Sequence, residues 1–363
     1  MLTPAHGARL TIDRAALAAN WRLLGAVAAG PRAAAVVKAD GYGLGTERVV
    51  ETLAKAGCAT FFVAHLSEAL RARRAAPDAE IYVLNGVPPG GIADMLQARV
   101  RPVLGSGEEV AAWRADAPEG APAALHVDTG MSRLGLRPEE IGDLPAVFRP
   151  ALVMSHFVSS EEPDDPLNAR QIAAFQRVAA LFPGAIPSLS NSSGVFLRRA
   201  RAFAEGLVRP GYALYGGNPT PDAPNPMREV VRLDATILQI RHVAAGETVG
   251  YNAAWAARRP SLIATVSLGY ADGFLRSGSS TSDSPGAAAL IEGHRVPLVG
   301  RVSMDLITLD VTDLPAGLAR RGATATFVGG GLALDEVART LRTNGYEVLT
   351  RLGGRFERVV VGS

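Results

Sequence analysis

The sequence predicts an α/β protein: an N-terminal (β/α)8 barrel followed by a mostly antiparallel β domain. Three observations predict it. Up to about residue 210, short apolar runs alternate with amphipathic stretches, which is typical of parallel strands and helices. Polar side chains gather where these runs end, as they do at the active face of a barrel. Beyond a segment rich in Pro and Gly, the pattern changes to the alternation of antiparallel strands.

The elements predicted before the linker follow in order along the chain. A strand at 9–13 comes first, and Asp13 then caps a helix. Apolar runs of strand length lie at 33–38, 60–64, 80–84, 100–104, 123–127, 151–154, 186–190 and 207–209. Helices are predicted between several of them, at 46–55, 67–75, 107–115, 138–147 and 168–181. A doubly wound open sheet would share this alternation. The ring of polar residues at the strand ends favours a barrel.

The segment 216–226 is the clearest linker in the sequence. We therefore place the barrel domain at 14–226 and the β domain at 227–363. Within the β domain, partial alternation predicts strands at 230–243, 262–267 and 306–311, and apolar spacing predicts one helix at 335–342.

Composition excludes several function classes. A net charge of +2 in 363 residues shows no bulk preference for polyanions, so we expect no nucleic-acid partner. The single cysteine, Cys58, cannot form an internal disulfide, which fits a reducing compartment. The first ten residues lack the apolar core of a signal peptide, and no apolar run is long enough to span a bilayer. We expect a cytoplasmic protein with no membrane partner and no metal site.

The chemistry is organised around the stretch 33–45. A buried strand ends in Lys38, and a loop with three glycines and Tyr42 follows. A lysine at the end of a buried strand loses part of its solvation, which lowers its pKa and frees the amine as a nucleophile or base. Taken alone, Lys38 is more simply explained as a surface residue. The partners downstream favour the chemical interpretation.

Four later loops offer complementary groups. Arg133 lies in a glycine-flanked loop after the fifth strand, where a guanidinium suits a carboxylate or phosphate. His156 ends the sixth strand. Asn191 and Ser192 follow the seventh strand and suit an anion cradle, although such pairs are often simple helix caps. Arg209 ends the eighth strand, beside the loops where barrels often bind phosphate.

Together these loops supply an amine, a phosphate cradle and a second arginine on one rim. These are the requirements of pyridoxal phosphate: a lysine that forms a Schiff base, a phosphate grip and a partner for the ring nitrogen.

The chain also resembles the alanine racemase family over almost its whole length. The resemblance rests on motifs in order across both domains, at 37–45, 128–133, 191–192, 209–212, 249–251, 268–273 and 300–305. It implies a (β/α)8 barrel followed by a β domain that the strand 9–13 joins. It also implies a homodimer with each site at the subunit interface, and racemisation of L- and D-alanine, a peptidoglycan precursor.

The resemblance further implies site roles. Lys38 binds the cofactor and exchanges the α-proton on the D-side, and Tyr251 of the partner subunit exchanges it on the L-side. The implied phosphate ligands are Tyr42, Ser192, Gly211 and Tyr212, with Asn191 beside them. Arg209 is implied to face the ring nitrogen, with His156 behind it. The implied substrate site comprises Arg133, the Met304 backbone, Tyr270 and Asp305.

Two positions depart from the family pattern. His126 stands where many relatives carry a lysine, often carbamylated, that orients the carboxylate-binding arginine. Gly354 stands where some relatives carry a tyrosine, so the pocket is expected to be roomier. Two alternatives therefore stay open: a broad-specificity amino-acid racemase and a non-catalytic barrel that binds pyridoxal phosphate. A decarboxylase of similar architecture fits the order of the motifs less well.

Overall fold

The structure is a computed structural model that describes residues 7–145, 148–197, 203 and 205–362. The chain divides into two compact units. One comprises Leu17–Arg228, and the other comprises Met1–Ala16 with Glu229–Ser363.

The first strand of the chain, β1 (Ala8–Asp13), belongs to the second of these units. The first unit alternates helices with short strands. Its strands are β2 (Arg32–Ala33), β3 (Ala35–Val36), β4 (Thr60–Val63), β5 (Glu80–Val83), β6 (Arg101–Leu104), β7 (Ala124–His126), β8 (Leu152–Met154), β9 (Ile186–Ser188) and β10 (Leu207–Val208). The helical segments are α1 (Arg14–Ala28), α2 (Lys38–Tyr42, a short left-handed turn), α3 (Thr46–Lys55), α4 (Leu66–Ala75), α5 (Ile92–Gln97), α6 (Gly107–Asp116) and α7 (Pro166–Ala180).

Backbone hydrogen bonds close this parallel sheet on itself. Strands β3 to β9 pair in sequence order, and β2 pairs in parallel with β10. The Ala34 N–H donates to the Val208 carbonyl at 2.9 Å, in the same chain segment that pairs with β4 through β3. The Arg209 N–H donates to the Ser190 carbonyl at 2.8 Å, next to β9. The predicted barrel is therefore confirmed, and the carboxyl ends of its strands meet on one rim.

Strands β3 to β8 are mostly buried on both faces, which explains why the sequence shows continuous apolar runs at these positions. Phe61 and Phe62 are neighbours on β4, so their side chains point to opposite faces, yet both are fully buried. Phe62 stacks on Tyr82 of β5, with ring centroids 4.9 Å apart. This packing gives the polar residues that follow each strand a rigid base.

The helix predicted at 138–147 is wrong in type. The structure has a 3-10 helix at Pro138–Asp143, and residues 146–147 lie outside the described part of the chain. Pro145 explains why the helix ends at Asp143, because a proline disfavours the α conformation of the residue before it, and Leu144 is extended.

The second unit is mainly an antiparallel sheet. Its strands are β1 with β11 (Val231–Val243), β12 (Thr248–Val249), β13 (Trp255–Ala256), β14 (Ser261–Val266), β15 (Ala288–Ile291), β16 (His294–Pro297), β17 (Ile307–Asp310), β18 (Thr324–Val328) and β19 (Glu357–Val361). The sheet order is β16-β15-β18-β11-β1-β19, and β14 pairs with both β11 and β17. The helices are α8 (Leu334–Thr340) and α9 (Gly345–Arg351). Only the β1–β19 pair of this larger sheet is parallel, among the residues described.

The predicted antiparallel β domain is thereby confirmed. In the described ranges, no helix combines the length and the apolar character needed to cross a membrane.

Candidate active site

Lys38 follows β3 directly and begins an unusual turn. Ala39, Asp40, Gly41 and Tyr42 all have φ between 53° and 62°, in the left-handed region. Each non-glycine residue there costs roughly 1–2 kcal/mol relative to the right-handed conformation. The sequence predicts a loop that turns tightly at this point, and the structure shows a tight turn in the left-handed conformation. Such local strain is typical of functional sites.

Two carboxylates stabilise this turn. Glu68 accepts the N–H of Ala39 at 2.7 Å and that of Ala64, which follows β4, at 2.8 Å. Asp40 accepts the N–H of Thr46 at 2.9 Å and pairs with Arg71 at 2.7 Å. The strained backbone is thus fixed to the end of the next strand and to the helix that follows.

The Lys38 amine is half-buried. Its burial and the charge of Arg133 lower the pKa of Lys38, whereas Glu68 acts in the opposite direction. The sequence contains one other lysine, Lys55, which is exposed at the end of α3. Lys38 is therefore the side chain with an amine suited to reaction at the rim.

The predicted phosphate residues lie together. The buried Ser192 hydroxyl accepts the N–H groups of Gly211 at 3.0 Å and Ala213 at 3.2 Å. A Cβ on Gly211 would lie 2.3 Å from the Tyr42 hydroxyl oxygen, so the absence of a side chain lets the two segments approach. Tyr212 follows as the first residue of a buried 3-10 helix, Tyr212–Tyr215.

Asn191 accepts hydrogen bonds from neighbouring protein groups in this structure. Its Oδ1 accepts the Gly194 N–H at 2.8 Å and the Ser160 hydroxyl at 2.9 Å. The segment that follows is a 3-10 helix of three residues, Gly194–Phe196, and so offers less of a helix N-terminus than the sequence suggested. The predicted role of Asn191 in binding the cofactor stays a prediction.

Arg209 is 4% exposed and donates to the Ser188 hydroxyl at 2.6 Å and to the Ser155 carbonyl at 2.7 Å. In the described part of the chain, no carboxylate forms an ion pair with it. Burial lowers the pKa of Arg209 to about 9, which still leaves the guanidinium protonated at neutral pH. The site thus keeps a fixed positive charge.

Two histidines flank this charge in neutral form. His156 Nδ1 lies 3.5 Å from Arg209, and burial with the charges of Arg209 and Arg133 lowers the pKa of His156 to about 3. The same causes lower the pKa of His126 to about 4, against a smaller opposing effect of Asp128. His126 therefore supplies no charge to orient Arg133.

Asp128 shapes the Arg133 loop. Its carboxylate accepts the N–H groups of Gly130 at 2.9 Å, Met131 at 2.7 Å and Ser132 at 2.7 Å. Arg133 is exposed, and none of the ion pairs among described residues involves it. Its guanidinium is therefore available to a carboxylate ligand.

The predicted residues of the second unit form a separate group. Tyr251 is 67% exposed on a 3-10 helix, Tyr251–Ala253, and Met304 is 54% exposed. The Met304 carbonyl accepts the Ala271 N–H at 3.0 Å, and the N–H of the exposed Tyr270 donates to the Ser303 carbonyl at 3.1 Å. The loops 269–273 and 303–305 are thus joined.

Arg355 is a positioning group that the sequence reasoning missed. It pairs with Asp305 at 2.8 Å and with Asp272 at 3.2 Å, and Asp272 also accepts the Gly269 N–H at 2.8 Å. Glu68 was missed as well, although its place three residues after His65, in the first turn of a predicted helix, is a capping signal.

Comparison with known proteins decides the family. The family model described as "Alanine racemase, N-terminal domain" matches residues 12–219, and the model for the C-terminal domain of alanine racemase matches residues 230–360. The chain belongs to the alanine racemase family. The predictions of this family and of an isomerase are thereby confirmed.

Individual relatives agree. A protein named alanine racemase from Methylobacterium nodulans is 56% identical over 98% of this chain and 96% of its own length. One from Methylobacterium sp. (strain 4-46) is 57% identical over 99% of each chain. The crystal structure of alanine racemase from Bartonella henselae, with covalently bound pyridoxal phosphate, has a TM-score of 0.92 and 38% identity. That comparison covers 99% of this chain and all of the other.

Proposed function

We propose that the protein racemises L- and D-alanine by a two-base mechanism with pyridoxal phosphate, as a cytoplasmic homodimer. The reaction would supply or consume D-alanine, a precursor of peptidoglycan. The family match and the donor set on the barrel rim support this proposal.

The residues present fit the cofactor. Lys38 offers the amine for covalent attachment. The hydroxyls of Tyr42 and Ser192 lie beside Gly211, where a phosphate would be held, and Tyr212 follows Gly211 in the chain. When bound, pyridoxal phosphate supplies an electron sink for negative charge at the substrate α-carbon.

Lys38 serves as the base on one face of that carbon. The unperturbed pKa of a lysine is roughly 10.4, so an ordinary lysine is almost fully protonated at neutral pH. Burial and Arg133 lower the pKa of Lys38, which increases the share of amine that can accept a proton.

Tyr251 of the partner subunit serves on the other face. The exposure of Tyr251 in a single chain, with that of Tyr270, Met304 and Leu306, supports this assignment. Large apolar side chains exposed in one region mark an interaction surface, which a second copy of the chain would cover.

Arg133 and the Met304 backbone bind the substrate carboxylate. The Arg133 guanidinium presents a planar fork of N–H groups that matches a carboxylate. The carboxylate of the ligand would supply the negative partner that Arg133 has in none of the ion pairs among described residues.

Arg209 tunes the cofactor electronically. Its guanidinium keeps its protons at neutral pH and does not readily give one to the ring nitrogen, which would therefore stay unprotonated. An unprotonated ring nitrogen would make the cofactor a weaker electron sink, and we infer that Arg209 thereby disfavours transamination.

The observation that carries the proposal is the half-buried Lys38 with its lowered pKa, fixed in a strained turn beside the phosphate-binding residues. The test is incubation of cofactor-loaded protein with a panel of L-amino acids in deuterated water. We expect D-alanine to form with deuterium at the α-carbon. Cofactor binding without exchange of any α-proton would favour a non-catalytic barrel and contradict the proposal.

One observation favours broad-specificity racemisation as a second candidate. A Cβ on Gly354 would contact nothing within 4 Å, so the position is open where some relatives carry a tyrosine. The same panel decides, because a broad enzyme would label longer amino acids at rates comparable to alanine.

A further inference from the structure

Gln171 is a buried amide outside the motifs of the site. It lies on α7 and is 0% exposed. Its Oε1 accepts the Val158 N–H at 2.9 Å, and its Nε2 donates to the His156 carbonyl at 2.9 Å. The same Nε2 lies 3.3 Å from the Thr129 hydroxyl. One side chain on α7 therefore uses both ends of its amide to join the segment 156–158 to the loop that carries Thr129.

The Thr129 hydroxyl extends this connection towards Arg209. It lies 2.7 Å from the Ser155 hydroxyl, and the Ser155 carbonyl accepts an N–H of Arg209 at 2.7 Å. Thr129 itself belongs to the Arg133 loop. The network thus links the arginine proposed to bind substrate with the arginine proposed to face the cofactor.

The carboxylate of Asp128 fixes the internal shape of the Arg133 loop, through the N–H groups of residues 130–132. These bonds lie within the loop, so a further contact is needed to fix the orientation of the whole loop relative to the ends of the neighbouring strands. Thr129 supplies one to Ser155 and to Gln171. His126 is neutral and supplies no ionic partner for Arg133.

We propose that Gln171 is a positioning residue for substrate: through Thr129 it holds the Arg133 loop in the orientation that receives a carboxylate. This inference rests on the proposed function. A carboxylate is bound in the ground state as well as the transition state, so loss of the orientation raises KM more than it lowers kcat.

The test compares two buried amides on the same helix. Asn168 lies one turn earlier and donates to the carbonyls of Ser159 and Glu162, without contacting Thr129 or His156. Both residues are replaced by apolar ones, as Gln171→Met and Asn168→Leu. We expect Gln171→Met to raise KM for L-alanine about tenfold and change kcat about threefold or less. Cofactor absorbance should be kept, and Asn168→Leu should leave KM near the wild-type value.

A second readout does not depend on turnover. Propionate carries the carboxylate without the amine, and its dissociation constant is measured by calorimetry on the cofactor-loaded proteins. We expect it to rise about tenfold in Gln171→Met, which corresponds to about 1.4 kcal/mol, and to stay unchanged in Asn168→Leu. Equal effects of the two variants on KM and on propionate binding would overturn the inference.

Thr129 variants decide the matter if Gln171→Met does not fold. Thr129→Val removes the linking hydroxyl and should raise KM, and Thr129→Ser should restore it. If Thr129→Val leaves KM and propionate binding unchanged, the inference fails. Wild-type protein that binds propionate but does not racemise alanine would instead refute the proposed function.

Discussion

The candidate residues of the barrel rim and those of the β domain differ in how far a single chain buries them and fixes them by hydrogen bonds. On the barrel rim, Tyr42, Ser192 and Arg209 are buried and hydrogen-bonded, and Lys38 is held in a strained turn. In the β domain, Tyr251 and Met304 are mostly exposed. The barrel residues are therefore preorganised within one subunit, whereas the β-domain residues lack the surroundings that a catalytic tyrosine needs.

This difference supports the proposal that a second copy of the chain completes the site. A base that works in a dry, charged environment gains from neighbouring dipoles and cations that water would otherwise screen. Tyr251 has no such enclosure in the single chain, and dimerisation would supply it.

The largest expected effect tests the barrel side. Lys38→Ala should abolish both the absorbance of the covalently attached cofactor and all racemisation, because no other amine lies at the rim. Lys55→Ala is the matched control, since Lys55 is exposed at the end of α3. Borohydride reduction followed by mass spectrometry of peptides should find the cofactor on Lys38. Cofactor found on Lys55 instead would contradict the assignment of the reactive amine to the barrel rim.

The next effect tests the β-domain side. Tyr251→Phe should keep the cofactor absorbance but slow abstraction of the α-proton from L-alanine by roughly 10²–10⁴-fold, the usual contribution of a positioned base. Turnover is measured in both directions by chiral chromatography. Tyr346→Phe, which removes a hydroxyl elsewhere in the same domain, should behave as wild type. If both variants turn over normally, Tyr251 is not a base.

The pH dependence of the free energy of unfolding tests the burial of His126 in the barrel. The pKa of His126 is lowered to about 4, whereas a histidine in the unfolded chain titrates near 6.5. Between these two pKa values the unfolded state binds more protons than the folded state, so the free energy of unfolding rises with pH. The contribution of His126 to stability is therefore lost progressively as the pH falls below about 6.5. This histidine alone should cost roughly 2 kcal/mol between pH 7 and pH 5.

The check is the slope of the unfolding free energy against pH, from urea titrations. His126→Asn should flatten that slope, and substitution of the exposed His294 should not. An unchanged slope in His126→Asn would show that this ring is not held neutral by burial.

The smallest effect concerns specificity. Gly354→Tyr should place a ring in the open space beside Arg355 and lower the rate ratio of serine to alanine by about tenfold or less, since one extra group changes binding by roughly 1–3 kcal/mol. Gly354→Ala should leave the ratio unchanged. A ratio that Gly354→Tyr does not alter would remove the argument for a roomier pocket.

Much of the fold was predictable from the sequence because its physical signals are local. The run at 60–64 is uninterrupted since Phe61 and Phe62 are buried on opposite faces, and the helix predicted at 46–55 matches α3. Lys38 could be singled out because it ends such a run and three glycines follow it.

Other features could not be predicted because they depend on distant partners. The ion pairs of Arg355 join residues about 50 and 80 positions away in the chain, and no periodicity encodes them. Gln171 occupies an ordinary helical position, and its role emerges only when the helix packs behind Thr129. The left-handed conformation of Ala39 and Asp40 runs against their local preference and depends on Glu68.

The most direct test of the central claim mixes two inactive proteins. Lys38→Ala and Tyr251→Phe subunits are dissociated, combined in equal amounts and reassociated. If each site takes its lysine from one subunit and its tyrosine from the other, half of the dimers are hybrids with one intact site, and about a quarter of wild-type activity returns. If no activity returns while hybrid dimers are shown to form, both bases come from the same chain and the account is contradicted.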